Sequence, residues 1–426
     1  MKGELRRIAI IGGSRIPFCR SNTMYSEKSN MDLLSATVEG LVQRFALQDQ
    51  QLDEVVAGAV TTHSRDWNLA REAILSTSLS PLTPGITLQQ ACGTSLQAAL
   101  TIGAKIACGQ IECGIAAGTD TTSDPPIVFG PKFSKRLVKA GAARSFGQRM
   151  GAFRGFGPGE LKPVAPANGE PRTGLSMGAH CERMAREWQI SREAQDELAL
   201  ASHLNAAAAY DGGFFDPLVQ PWAGVARDSN LRADSSLEKL AGLKPVFSRE
   251  TGATLTAGNS TPLTDGAAAV LLASEDWARK HDLPIQAYLT GMRCSAVDFV
   301  NDEGLLMAPT VAVAEMLQKS GLTLQDFDFY EIHEAFAAQV LCTLAAWESD
   351  DYCRNRLGLP QALGPIDRSR MNVKGSSLAV GHPFAATGAR IMANLSEILL
   401  KAGSGRGLIS ICTAGGMGVA AILERP

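Results

Sequence analysis

At 426 residues, 45% hydrophobic and 19% charged, the chain is long enough for two or three domains and too apolar to be disordered. A net charge of −3 excludes a molecule that grips nucleic acid by its overall field. Nine cysteines, an odd number without regular spacing, argue against a disulfide scaffold and for free thiols in a reducing, cytoplasmic setting; the opening MKGELRRIAIIGGSRIPF holds an apolar run too short for a signal peptide, and no stretch approaches a membrane span.

In chain order, RRIAIIGG reads as a buried strand ending in glycines, and residues 31–46 carry apolar side chains at helical spacing. DEVVAGAV (53–60) predicts a second strand, NLAREAILSTSL (68–79) a helix stopping before Pro81, and GITLQQA a third strand. SLQAALTIGAKIACG predicts a helix closed by Gly109, and IECGIAAGTD another buried strand. This alternation is that of an α/β layered domain. From about Thr121 to Phe247 the texture becomes rich in Gly, Pro, Arg and Lys, with one helical region, 177–209; this reads as an insert over the α/β layers. Within it PKFSKRLVKAGAARSFGQRMGAFRG (131–155) is basic throughout, and a solvated loop is the default expectation, with CoA phosphates, an acidic partner or a membrane surface as functional alternatives.

The layered pattern returns with TLTAGNSTPLTDGAAAVLLAS (254–274), a turn cluster and then a strand. IQAYLTGMRCSA predicts a strand, Pro309 opens a helix, FDFYEIH is a strand and EAFAAQVLCTLAAWE a helix. A glycine loop and helix follow (371–403), then a strand, a glycine turn and a returning strand, GLISICTAGGMGVAAILE. The second half thus echoes the first. Cys92 begins one helix that leads into a strand and His382 begins another, so the two residues stand in comparable positions at two helix N-termini. A thiol so placed feels the positive end of a helix dipole, which favours thiolate.

Three stretches carry chemistry: QACGTS around Cys92, EIHEAFAAQ around His333, and GHPFAATG around His382, the last followed by CTAGGMG at Cys412. Their order resembles the thiolase family, with Asn68, Ala70 and Arg71 matching an upstream N-x-A-R element, and the resemblance covers nearly the whole chain. It implies a thiolase fold: two similar αβαβα-layered halves (1–120 plus 248–275, and 276–426) with an inserted loop domain (121–247). It implies an acyl-CoA:acetyl-CoA C-acyltransferase working through a cysteine thioester, with CoA thioesters as substrates and no further cofactor or metal. Cys92 is the expected nucleophile, His382 its base, Cys412 the second acid/base at the α-carbon, and His333 an oxyanion donor. Met177, Ala257, Gly258, Ser260, Thr261 and Phe336 are expected along the CoA channel, and the Gly415–Gly416 backbone among the oxyanion donors. H-E-A-F in place of the commoner N-E-A-F resembles the branch found in fatty-acid β-oxidation complexes, which implies a homodimer or tetramer and a hydratase/dehydrogenase subunit as partner. His180–Cys181–Glu182 is rejected as a zinc site because neighbours on a helix point apart. Two rivals stay open: a decarboxylating ketoacyl-synthase-type condensing enzyme, which the second thiol argues against, and a non-catalytic thiolase-like lipid-binding or scaffold subunit.

Overall fold

The computed structural model describes residues 5–426; Met1–Glu4, the start of the stretch read for a signal peptide, lie outside them. The first half begins with β1 (Ile8–Arg15), the short β2 (Cys19–Arg20) and α1 (Asn30–Arg44), whose Ser29 and Asp32 form a reciprocal capping box. It continues with β3 (Glu54–Gly58), α2 (Leu69–Leu75), β4 (Gly85–Thr87), α3 (Thr94–Ala107) and β5 (Cys113–Asp120). Two of these are shorter than predicted. The helix expected over 68–79 ends at Leu75, and the strand expected over 85–91 ends at Thr87, where the chain bends toward Cys92.

The insert holds β6 (Val128–Phe129), α4 (Pro131–Ala142), α5 (Phe146–Gly151), β7 (Pro163–Val164), α6 (Met177–Glu187), α7 (Arg192–Asp211) and α8 (Leu237–Ala241). The basic stretch 131–155, expected as a solvated loop, is therefore two helices. Pro131 starts the first, the Ser145 side chain caps the second, and Phe129, Phe133, Phe153 and Phe156 pack ring against ring beneath them. The helical region 177–209 is two helices, broken at Gln189 with φ +52° and restarted by the Ser191 cap.

The chain then returns through β8 (Thr264–Ser274) and α9 (Glu275–Lys280) to the second half: β9 (Ala287–Ala296), α10 (Ala308–Ser320), β10 (Phe329–Ile332), α11 (Ala337–Glu348), α12 (Asp350–Asn355), α13 (Ser377–Val380), α14 (Thr387–Ala402), β11 (Gly405–Thr413) and β12 (Met417–Arg425). Nine strands follow one path, β10-β11-β12-β9-β1-β8-β5-β3-β4, and β2 adds to β8. The two halves meet where β1 pairs with β9 at Ala9–Tyr288 and Ile10–Ala287. Outward from that seam, β1-β8-β5-β3 and β9-β12-β11-β10 repeat one pattern, antiparallel, antiparallel, then parallel. The repeat expected from the sequence is thus a repeat of topology.

In that repeat α3 of the first half corresponds to α14 of the second. They cross in the central core, a cluster holding Leu96, Ala99 and Ile102 from α3, Ala389, Met392 and Leu395 from α14, and strand residues of both halves. The crossing is close because position 388 is glycine: a Cβ there would overlap the Leu96 backbone, and the neighbouring Ala389 N–H donates to Ser95 Oγ at 2.8 Å. Outer cores lie under α1 and α2 in one half and under α10 and α11 in the other. The central crossing brings the two segments that precede α3 and α14 to one place.

Candidate active site

Cys92 sits on an elbow between β4 and α3. Ala91 takes the left-handed conformation, φ +46°, uncommon for a residue with a Cβ. The elbow is closed by Gly93 N–H donating to Gln90 O at 3.0 Å and by Thr94 Oγ1, which donates to Ala91 O at 2.7 Å and accepts from Gln90 N–H at 2.9 Å. Helix α3 begins at Thr94, so Cys92 stands two residues before it rather than at its first turn. The dipole does not decide its proton affinity. Burial pushes the thiol up to about 12, the neighbouring Asp120 and Glu170 charges push the same way, and N–H groups of Ala414 and of Cys92 itself pull it down. Cys92 nevertheless keeps partial solvent exposure, as a thiol at the floor of a channel would.

His382 meets it. Its Nε2 lies 3.2 Å from Cys92 Sγ, and its Nδ1 lies 2.6 Å from Thr387 Oγ1, the first residue of α14. His382 is five residues before that helix, not at its start. The intervening turn is fixed by His382 N–H donating to Thr264 Oγ1 at 2.7 Å and by Ala385 N–H donating to Asp120 Oδ2 at 2.8 Å. Burial, then the Arg390 charge, pulls the imidazole down to about 3. The resting pair is therefore neutral thiol and neutral imidazole, the ring held between Cys92 Sγ at Nε2 and Thr387 Oγ1 at Nδ1.

His333 lies just past β10, its ring tilted by 51° against that of His382 with 4.2 Å between centroids. Cys92, His333 and His382 each present a heteroatom within 4.8 Å of the others. His333 Nδ1 is 2.9 Å from Ser377 Oγ, while its buried Nε2 has no partner among the described residues. Glu334 points the other way. It accepts from Ser202 Oγ at 2.7 Å, Asn372 Nδ2 at 2.6 Å and Leu378 N–H at 3.3 Å, which ties α7, the 372 turn and α13 together. Cys412 closes the group from β11. It is buried, and desolvation, then the nearby Cys92, holds its thiol well above the ordinary range.

The channel residues divide. Met177 and Phe336 pack in the same cluster as Cys412, with Phe336 edge-on to Phe247. Ser260 bridges to Phe336, and its buried Oγ has no partner among the described residues; Thr261 N–H and Oγ1 both donate to Ala335 O at 3.1 Å. Ala257 and Gly258 lie farther out on that loop, with Ala257 exposed and Gly258 against Leu240 and Leu243. Gly415 departs from its expected role: its N–H donates to Glu170 Oε1 at 2.7 Å, so it is not a free oxyanion donor here. The N-x-A-R element is structural. Asn68 caps α2 and its Nδ2 donates to Gly85 O at 2.8 Å, while Arg71 donates to Thr83 O and Pro81 O, each at 2.7 Å. His180 bonds Thr173 Oγ1 at 2.7 Å, and Glu182 accepts Thr254 and Leu255 N–H groups, so that triplet is dispersed.

Sequence reasoning missed Asp120, Glu170, Thr264, Thr387, Ser377 and Arg390. Only Thr387 carried a signal, as part of GHPFAATG. Thr264, Glu170 and Asp120 act through partners 118, 245 and 265 residues away, and Ser377 and Arg390 sit inside apolar helices, where nothing local marks them.

The arrangement sets a thiol against an imidazole, with a second thiol and an unpartnered imidazole edge beside it. Known proteins match nearly the whole length of the chain. The family model "Thiolase, N-terminal domain" matches residues 8–276 and "Thiolase, C-terminal domain" matches 283–425. A 3-ketoacyl-CoA thiolase of Yersinia pestis is 41% identical over 424 residues, covering 98% of this chain and 97% of that one. Among solved structures, the Bacillus anthracis acetyl-CoA acetyltransferase superposes with TM-score 0.82 at 28% identity, covering 99% of both chains. The human mitochondrial 3-ketoacyl-CoA thiolase in complex with CoA gives 0.81 at 27%, covering 99% of this chain and 98% of that one.

Proposed function

The chain belongs to the thiolase family, and from that premise we propose how its residues divide the work of an acetyl-CoA C-acyltransferase of fatty-acid β-oxidation, cleaving 3-ketoacyl-CoA with free CoA or running the reverse condensation. His382 Nε2 takes the Cys92 proton as sulfur attacks the 3-keto carbon. The C2–C3 bond then breaks, its electron pair passes to the departing acetyl-CoA enolate, and Cys412 S–H protonates that carbon. Acyl-Cys92 remains. CoA enters, Cys412 thiolate takes its thiol proton, and the CoA sulfur attacks the acyl carbonyl. Cys92 leaves as thiolate and recovers its proton from His382. Each protein group ends as it began: the proton that Cys412 gave to acetyl-CoA is replaced by the one taken from the CoA thiol. His333 Nε2–H donates to the oxygen that gains charge.

The observation that supports this reading is the 3.2 Å contact between Cys92 Sγ and His382 Nε2, with Cys412 beside it. Met177, Ser260, Thr261 and Phe336 are proposed to line the pantetheine path, with Ala257 and Gly258 at its mouth. The proposal keeps the division into 1–120 plus 248–275, 121–247 and 276–426. It also keeps assembly with a second copy and with a hydratase/dehydrogenase subunit, and a cytoplasmic setting; among the described residues no helix is long and apolar enough to cross a membrane. A chain-length series of 3-ketoacyl-CoA substrates with free CoA tests the activity, alongside malonyl-thioester consumption. Thiolysis with stoichiometric acylation of Cys92 is expected. Malonyl consumption without thiolysis would move the chain to the ketoacyl-synthase type, and no acylation would leave a non-catalytic subunit.

A further inference from the structure

Behind His333 lies a charged group that the acyl transfer itself does not use. His333 N–H donates to Ser410 O at 2.9 Å and so carries the β10–β11 pairing one residue beyond β10, which puts Glu331 and His333, two apart, on one face. That face meets Arg390 in the middle of α14. Arg390 is fully buried, Glu331 is 1% exposed, and their closest approach is 3.9 Å. Glu331 does not take up the guanidinium's hydrogen bonds, since both its carboxylate oxygens are without a partner among the described residues. Arg390 donates instead to two hydroxyls, from Nη1 to Ser376 Oγ at 3.2 Å and from Nη2 to Ser377 Oγ at 2.7 Å, while its Nε has no partner among the described residues. Both serines are fully buried.

The chemistry of these contacts has one consistent direction. A guanidinium only donates, so Ser377 Oγ accepts from Arg390 and keeps its own proton to give away. The remaining neighbour is His333 Nδ1, at 2.9 Å. Nδ1 must then be the accepting nitrogen, and the imidazole's single proton belongs on Nε2, the atom left unpartnered within reach of Cys92 and His382. We infer that Arg390 and Ser377 are positioning residues: they order the Ser377 hydroxyl so that it donates to His333 Nδ1, which fixes His333 as the Nε2–H tautomer and aims that N–H into the reaction space. The same cation opposes protonation of His333, whose imidazole burial already pulls well below its ordinary range. His333 is thereby a neutral donor at one defined atom.

This inference rests on the reading of His333 as an oxyanion donor, but its test does not need turnover. The chain has six histidines, few enough for the His333 ring nitrogens to be followed by NMR in protein labelled with 15N-histidine and assigned with His333→Gln. In the native protein Nε2 is expected to carry the proton, with Nδ1 showing the shift of a hydrogen-bonded acceptor. Ser377→Ala removes only a hydroxyl from a buried site. It is expected to move the Nδ1 resonance toward an unbonded position and to bring in an Nδ1-protonated population. It is also expected to lower kcat by on the order of 10-fold with KM little changed, short of the ~10²–10³ that loss of a whole oxyanion donor costs. Alkylation of Cys92 should proceed at the native rate, and Ser377→Thr, which keeps the hydroxyl, should restore the tautomer. A native His333 protonated on Nδ1, or a Ser377→Ala protein with unchanged His333 shifts, overturns the proposal. If Cys92 failed to acylate while the Nε2–H tautomer depended on Ser377, the active-site reading would fall and this assignment would stand.

Discussion

At the scale of single residues, two thiols with raised proton affinity face different groups, and their proposed division of work follows from that. Cys92 has an imidazole at 3.2 Å, and Cys412 has an apolar surround with Cys92 nearby. Removing the second thiol should therefore leave the Cys92–His382 pair intact. In Cys412→Ala, Cys92 is expected to be alkylated at near-native rate while carbon–carbon bond cleavage and formation fall by at least about 10²-fold, the lower end of what general acid–base groups contribute. Equal loss of both would contradict the assignment. The base is testable without substrate. In His382→Ala the Cys92 thiol keeps its burial but has no acceptor at Sγ, so the pH needed for alkylation should rise. An unchanged alkylation profile would remove His382 from the role.

Elements hold these residues in register, and here the sequence was legible in part. β1, β5, β8, β9 and the β11–β12 pair were visible as apolar runs between glycines, because buried strands leave a plain signal. The four motifs were visible because their residues are local. What could not be read was α4 and α5, flanked by four phenylalanines spread over 129–156 that pack on one another, and the elbow at Ala91, whose left-handed turn no glycine announces. Gly388 was quoted within GHPFAATG, yet its purpose appears only where α14 meets α3. A side chain there strikes Leu96 backbone, which cannot swing aside. Gly388→Ala should destabilise by about 1–3 kcal/mol through overpacking. It should also slow Cys92 alkylation, because the two helices carry the two halves of the Cys92–His382 pair. A shift in urea midpoint without slower alkylation would mean that the crossing does not set the geometry of the pair.

For the whole molecule, joining two halves around a central core leaves many ionisable groups without water, and they predict how stability follows pH. His382 and His203, pulled down to about 3 and about 4, and His333, pulled well below 6.5, are buried neutral. Each folded imidazole binds fewer protons than its unfolded counterpart below pH 6.5, so each removes stability as pH falls from there. Taken alone, a single such histidine would cost roughly 2 kcal/mol by pH 5. Buried carboxyls act in the opposite sense. Burial pushes Glu331 up to about 8 and raises Glu334 and Asp120, so the folded state holds protons that the unfolded chain takes up only near pH 4. These groups add stability as pH falls toward that value. Between pH 6.5 and 4.5 the two sets oppose each other. Below 4.5 the carboxyls are protonated in both states and contribute no further, while the imidazoles go on drawing the chain toward the unfolded form. Glu39, Glu112, Glu275 and Glu315, held down by hydrogen bonds from Ser78, Ser274, Arg279 and Arg293 respectively, begin to lose their stabilisation in the same window. Urea midpoints should therefore change little from pH 7 to 5 and fall steeply between about 4.5 and 3. A decline that begins at pH 6.5 and runs evenly downward would show that Glu331, Glu334 and Asp120 are ionised in the folded protein, and that Arg390 is neutralised by Glu331 after all.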